Sequence, residues 1–263
     1  PFPVSGSLFS QVYNRQMKTE VLTLKTNIMF LTAVLLLFSL CGPLCAGESE
    51  KAEAENIGRL LAEKFAPESL DVTVAAGGKL AWIEMSGSRQ GGVRVASMKL
   101  LARLKEQPGR EAAGGRKLAS LVESSDGEIE LLEKDVNDYF ASAPVQSGGL
   151  SNLKFDFRPQ GFTARGVYTT TMIFEIKLDV EADGKLGLRS DGLYIEEPVV
   201  RAEGIRQPDL LTKQLIGRIN PLLSFSTIPF PVRFTSVTMT EDAVVMSGAP
   251  KPPAEGEKWT WRR

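Results

Sequence analysis

The sequence predicts an α+β fold, with antiparallel strands that carry one apolar face and a few short helices to cover it. Three observations lead there. Long segments alternate apolar and polar residues with the period of a strand, shorter ones repeat apolar residues at helical spacing, and glycine and proline punctuate between them. A sheet with one apolar face must cover something.

Ile57, Leu60, Leu61 and Phe65 fall on one stripe of residues 51–65, which predicts an amphipathic helix stopped by Pro67. Residues 70–75 alternate as a strand, and Gly77-Gly78 turns the chain into a second over 79–86. Val93 and Val95 share one register; Met98, Leu100, Ala102 and Leu104 take the other. That pattern reads as a strand with a bulge, with a helix as the competing reading. Residues 107–115 form a loop. Ile129 and Leu131 predict a short edge strand. Residues 133–142 predict a short helix with Val136, Tyr139 and Phe140 on one side, ended by Pro144.

The second half alternates more cleanly. Leu153, Phe155 and Phe157 oppose Lys154, Asp156 and Arg158, and another strand covers 162–169. The strongest pattern sets Met172, Phe174, Ile176, Leu178 and Val180 against Thr171, Ile173, Glu175, Lys177 and Asp179. Asp183-Gly184 predicts a hairpin turn, and Asp191-Gly192 punctuates again. Residues 208–219 predict a helix with Leu211, Leu215 and Ile219 in line, ended at Asn220-Pro221. A closing hairpin covers 232–240 and 243–247. The Pro- and charge-rich residues 250–263 predict a disordered tail, with a membrane interface as the other reading for Trp259 and Trp261.

Near the start, the run 28–40 is apolar and uncharged, Lys18 and Lys25 precede it, and Ala46 and Gly47 close it. That is the order of a secretion signal. The run is shorter than the ~20 residues of a membrane span, with an uncleaved anchor as the alternative. Residues 1–16 then read as an upstream extension before Met17, 17–46 as a signal peptide, 47–249 as the folded domain and 250–263 as the tail. Both cysteines, Cys41 and Cys45, fall inside the signal. Leu40 and Leu44 stand where lipidation would need a small residue, which disfavours it. The expectation is an exported protein of the periplasm or cell envelope.

The chain carries a net charge of −1, and beyond residue 46 about −3, which excludes general nucleic-acid binding. It contains no histidine, which removes His-based triads and His-ligated zinc. Ser151-x-x-Lys154 has a catalytic spacing, but opens an alternating strand where its ends point to opposite faces. Residues 179–184 resemble the start of a calcium loop, but Ser190 occupies the place of its last acid. Glu196-Glu197 and Glu241-Asp242 read as solvated turn charges. No catalytic residue, metal ligand or cofactor is expected.

Two segments carry a resemblance. The first is Ile129 to Phe140, a strand running into a helix with Asp135-Val-Asn137 at its start. The second is Ile216 to Phe234, in which a helix ends in Ile219-Asn-Pro221 and a proline-marked strand follows, with a hairpin closing at Met246-Ser-Gly248. Together these resemble the LmeA-like phospholipid-binding family, exported bacterial envelope proteins akin to the tubular lipid-binding (TULIP) fold. The resemblance covers roughly residues 51–249. It implies a strongly curved antiparallel sheet wrapped around a few helices, an apolar groove for acyl chains, and no catalytic residues. The residues placed in that groove are Phe155, Phe157, Met172, Phe174, Ile176, Leu178, Leu211, Leu215 and Ile219. The implied partner is a phospholipid or other acyl-chain lipid, with contact to a membrane surface. A scaffold or interaction module of the same fold with a closed core is the alternative. A hydrolase would need a buried carboxylate or Ser/Lys pair that the sequence does not offer.

Overall fold

The computed structural model describes residues 48–105, 117–142, 149–171 and 175–263. The expected signal segment and the residues Met172 and Phe174 lie outside them. Residues 49–263 make one compact unit. Its chain order is helix α1 (48–65), β1 (Ser69–Ala75), β2 (Leu80–Gln90), β3 (Val93–Leu104), α2 (Leu118–Leu121), β4 (Val122–Leu132), α3 (Glu133–Ser142), β5 (Leu150–Arg158), β6 (Gly161–Thr171), β7 (Glu175–Arg189) and β8 (Gly192–Ala202). Then come β9 (Ile205–Arg206), α4 (Asp209–Ile216), β10 (Leu223–Ser224), β11 (Val232–Arg233), β12 (Ser236–Met239), β13 (Ala243–Ser247) and β14 (Gly256–Arg262).

The fold is α+β with few helices, and the strands form two sheets rather than one. The first runs β12-β13-β4-β3-β2-β1-β14, with β11 pairing β4 in parallel; the second runs β10-β8-β7-β6-β5, with β9 on β8. All other pairings are antiparallel, and neither sheet closes on itself. This corrects the single, strongly curved sheet wrapped around helices.

The reason lies in α3. The side chain of Asn137 accepts from the Phe155 N–H at 2.7 Å and donates to the Phe155 carbonyl at 2.9 Å, and Glu133 accepts from the Phe157 N–H at 2.7 Å. These side chains take the hydrogen-bonding places of a neighbouring strand, so β5 ends its sheet instead of continuing the first. Val136 and Phe140 of α3 point into the core, where Phe140 meets Phe155 at 5.2 Å.

One apolar core runs through both sheets and the helices. Ala54, Ile57, Leu61 and Phe65 of α1 are all buried against it at helical spacing. The chain leaves α1 through Ala66, at φ 41°, and Pro67. Arg94 on β3 then pairs with Glu68 at 2.9 Å and with the buried Asp135 of α3 at 3.0 Å, tying β3, α3 and the link between α1 and β1 by one guanidinium.

Other expectations change. Ile129 and Leu131 belong to an 11-residue strand inside the first sheet, not to a short edge. Its first half (Glu123-Ser-Ser-Asp-Gly) is polar, so only its neighbours reveal it as strand: β3 pairs it along one side, β11 and β13 along the other. Residues 93–104 are a strand, and the register slips at Arg103/Leu104 rather than between Val95 and Met98. Asp183-Gly184 is no hairpin turn, because β7 runs straight through it to Arg189. The register shift there sets Glu197 and Pro198 of β8 against the single Gly184, one extra residue, with Glu197 at φ 49°. The turn comes at Ser190-Asp191 instead.

The expected disordered tail is strand β14, paired residue by residue with β1. Trp259 and Trp261 lie opposite Val72 and Leu70, on the side that faces the core, and Trp259 packs on Gly58 of α1 so closely that a Cβ there would collide with its ring. Both tryptophans are partly buried against the core. On the other side, Lys258 and Arg262 each reach Asp71 at 3.0 Å. Burial pushes the Asp71 carboxyl upward, but hydrogen bonds from Arg262, Lys258 and Thr260 outweigh it and bring the pKa down to about 2 from 3.8. A carboxyl whose folded pKa is depressed contributes stability above its unfolded value and loses it as pH falls towards the folded one. This one contributes about 2 kcal/mol. In urea unfolding, Asp71→Asn is therefore expected to be less stable than the parent by about that much at pH 6, and the gap is expected to narrow between pH 4 and pH 2.

Candidate functional site

The alternation of the second sheet gathers its apolar residues on one face. Leu153 and Phe155 of β5, Ala164 of β6 and Val180 and Ala182 of β7 all point there. In β8 the one extra residue at Glu197-Pro198 inverts the alternation. Ile195 before the bulge and Val200 after it thus reach the same side.

Helix α4 lies over this face. Leu215 and Ile216 are buried beneath it, Leu211 and Ile219 half-buried. Between helix and sheet is a cleft lined by Leu150, Leu153, Phe155, Phe162, Ala164, Val180, Ala182, Ile195, Val200, Leu215, Ile216 and Ile219; Glu181 borders it between Val180 and Ala182, with its carboxylate paired on the opposite face of the sheet. The free volume is about 30 Å³, room for one or two waters. The two alanines give the sheet its short side chains under α4.

Both ends of α4 are tied to β8. At the start, the Gln207 N–H donates to the Val200 carbonyl at 2.9 Å. After the end, the Asn220 side chain accepts from the Ile195 N–H at 2.8 Å and donates to its carbonyl at 3.1 Å. Asn220 and Asn137 therefore do the same job: each completes the hydrogen bonding of one strand residue that lines the cleft. The following Asn220-Pro221 peptide is cis.

Phe155, Leu215 and Ile219, placed in a groove from the sequence, do line the cleft. Phe157 does not; it is buried in the core beside Phe155, at 6.4 Å between rings. Ile176 and Leu178 lie on the cleft's side of β7 but beyond it, half-buried, and Leu211 is half-buried on α4 outside the lining. Leu150, Leu153, Phe162, Ala164, Val180, Ala182, Ile195, Val200 and Ile216 also line the cleft and were not placed in the groove from the sequence. Period-two alternation with Val180 points to Ala182, whereas Ile195 and Val200 share a face only because of the bulge.

The opposite face of the same sheet is charged. Arg165 pairs with Glu181 at 2.9 Å, and Arg201 bridges Glu181 and Asp183. The Asp183 hydrogen bonds from Arg201 and Thr163 hold its carboxyl below the usual range, so residues 179–184 form part of a salt-bridged ladder. Glu196 and Glu197 are likewise paired, with Arg189 and Lys185. Among the described residues, no group of three or more His, Cys, Asp or Glu side chains is placed to hold a metal ion.

A family model described as LmeA-like phospholipid-binding matches residues 69–249. The chain belongs to this family. The match takes in both sheets apart from β14, and with them the cleft, α3 and α4. No curated protein and no solved structure matches the LmeA-like chain. Phospholipid binding is what the family is described by.

Proposed function

We propose that this protein is exported to the cell envelope, or periplasm, and there binds phospholipid non-catalytically, with an acyl chain inserted between α4 and the second sheet. The observation that carries the reading is the cleft itself: a continuous apolar lining from four strands and a helix, inside the region that matches the phospholipid-binding family. Each methylene buried there contributes about 0.8 kcal/mol, so even a partly inserted chain is held.

A free volume of about 30 Å³ is far below the roughly 300–1,000 Å³ of sites that enclose a drug-sized ligand. Binding therefore requires α4 to lift from the sheet. The helix has only eight residues; Leu215 and Ile216 pack it on the sheet, and hydrogen bonds from Gln207 and Asn220, just beyond its two ends, tie it to β8. Export rests on the basic-apolar-small order of residues 17–46, and the lipid could be carried between sites or simply held.

The same small volume favours a second reading, a closed-core module of this fold that works through a protein partner. Native mass spectrometry of the purified chain separates the two. Co-purified phospholipid, or uptake of one added lipid per chain, is expected; repeated recovery of empty protein that takes up none would leave the closed-core reading.

A further inference from the structure

The surface beside the cleft points to a second contact. Among the described residues only two large apolar side chains are strongly exposed, Ile205 at 70% and Leu210 at 72%. They are five residues apart, Ile205 on β9 at the margin of the second sheet and Leu210 in the first turn of α4. The other large apolar side chains among the described residues are at least partly covered, both tryptophans of β14 included, so two uncovered ones in one short stretch stand out.

The charges nearby are one-sided as well. Arg206, Lys213 and Arg218 are exposed, and none makes an ion pair among the described residues, whereas Arg165, Arg189 and Arg201 on the adjoining strands all do. Arg218 faces the Tyr168 ring at 5.7 Å. Asp209 is the one carboxylate in residues 205–219, and it sits in the first turn of α4, where the helix dipole favours it. The backbone between the two apolar residues is braced by the Gln207 N–H to Val200 and by the Gln207 amide to the Ile205 carbonyl at 2.7 Å. Uncovered apolar tips among unpaired cations match an interface of acyl chains beneath anionic headgroups.

We infer that the β9–α4 corner docks on an anionic lipid bilayer, with Ile205 and Leu210 inserted and Arg206, Lys213 and Arg218 at the headgroups. This rests on the phospholipid reading above. It sets the cleft's own helix at the membrane, where a lipid could enter beneath it without crossing water.

The test uses residues 49–263, the compact unit, because the apolar run 28–40 would bind vesicles by itself. Flotation with phosphatidylcholine vesicles containing 30% phosphatidylglycerol is compared with pure phosphatidylcholine. Uptake of a short-chain fluorescent phospholipid, below its micelle concentration, reports the cleft separately. Binding is expected with the anionic vesicles, and is expected to weaken in 0.5 M salt. Ile205→Asp with Leu210→Asp is expected to lower it at least 10-fold. Arg206→Glu with Lys213→Glu is expected to lower it roughly 25-fold or more, at about fivefold for each cation removed. Both variants are expected to keep uptake of the soluble lipid.

Parent protein that ignores both vesicle types, or variants that float like the parent, would overturn the docking. So would a dimer in sedimentation velocity that Leu210→Asp dissociates, because a second copy would then be the partner. Flotation without uptake of soluble lipid would keep the docking and defeat the cleft reading; uptake without flotation would do the reverse.

Discussion

Ala182→Phe is expected to abolish most phospholipid uptake while leaving the protein folded. Ala182 lies on β7 under α4, next to Val180, and its short side chain helps leave the space that the cleft contains. A phenyl ring there fills the same space with apolar atoms. Because the position is only partly buried, the substitution is expected to cost about 1 kcal/mol in urea unfolding, at the low end of overpacking. The loss to a lipid is larger. Excluding some four methylenes removes about 3 kcal/mol of binding, or roughly 100-fold in affinity. Titration with a fluorescent phospholipid beside an unfolding curve checks both halves. Uptake unchanged in a folded Ala182→Phe protein would place the lipid elsewhere.

The second large effect is on stability. Asn137→Ala is expected to cost about 2–4 kcal/mol, because it strands both backbone groups of Phe155, a residue with no exposed surface. Asn220→Ala strands those of Ile195 in the same way, and the expected loss is similar. The two should differ in function. Asn137 holds α3 against the sheet's far edge, whereas Asn220 holds the end of α4, the helix proposed to lift. Lipid exchange is therefore expected to speed up in Asn220→Ala and not in Asn137→Ala, measured as transfer of a quenched phospholipid between protein and vesicles.

These two asparagines also mark the limit of reading the sequence. Asp135-Val-Asn137 and Ile219-Asn-Pro221 were visible as landmarks of a family, but nothing local says that each asparagine reaches a strand residue 18 or 25 positions away. The alternating strands from Leu150 to Thr171 and the helices α1, α3 and α4 were legible, since each repeats apolar residues at its own period. The outcome differed where tertiary pairing overrides local chemistry. Asp183-Gly184 has the composition of a turn, yet strands on both sides hold it extended. Residues 250–263 look disordered from prolines and charges, although Trp259 and Trp261 alternate with Lys258, Thr260 and Arg262 as a strand would. Composition outweighed that short alternation, and the Asp71 ion pairs that secure it are nearly two hundred residues away in sequence.

Within the candidate site, the aliphatic stripe of α4 and Phe155 were legible, and Ala182 follows from the alternation with Val180, but the shared face of Ile195 and Val200 was not legible. Alanines draw no attention as binding residues, although under a helix they are what leaves room. Ile195 and Val200 are five apart, a spacing that puts them on opposite faces of an unbroken strand.

The most direct test of the account is to load the protein with a phospholipid that carries a photoreactive diazirine near the end of one acyl chain, irradiate it and map the adducts by peptide mass spectrometry. Adducts on the cleft lining, in Leu150–Ala164, Val180–Ala182 or Leu215–Ile219, are expected, and Ala182→Phe is expected to remove them. A loaded protein whose adducts fall only outside these segments, or do not change in Ala182→Phe, would contradict the claim that the cleft under α4 holds the lipid.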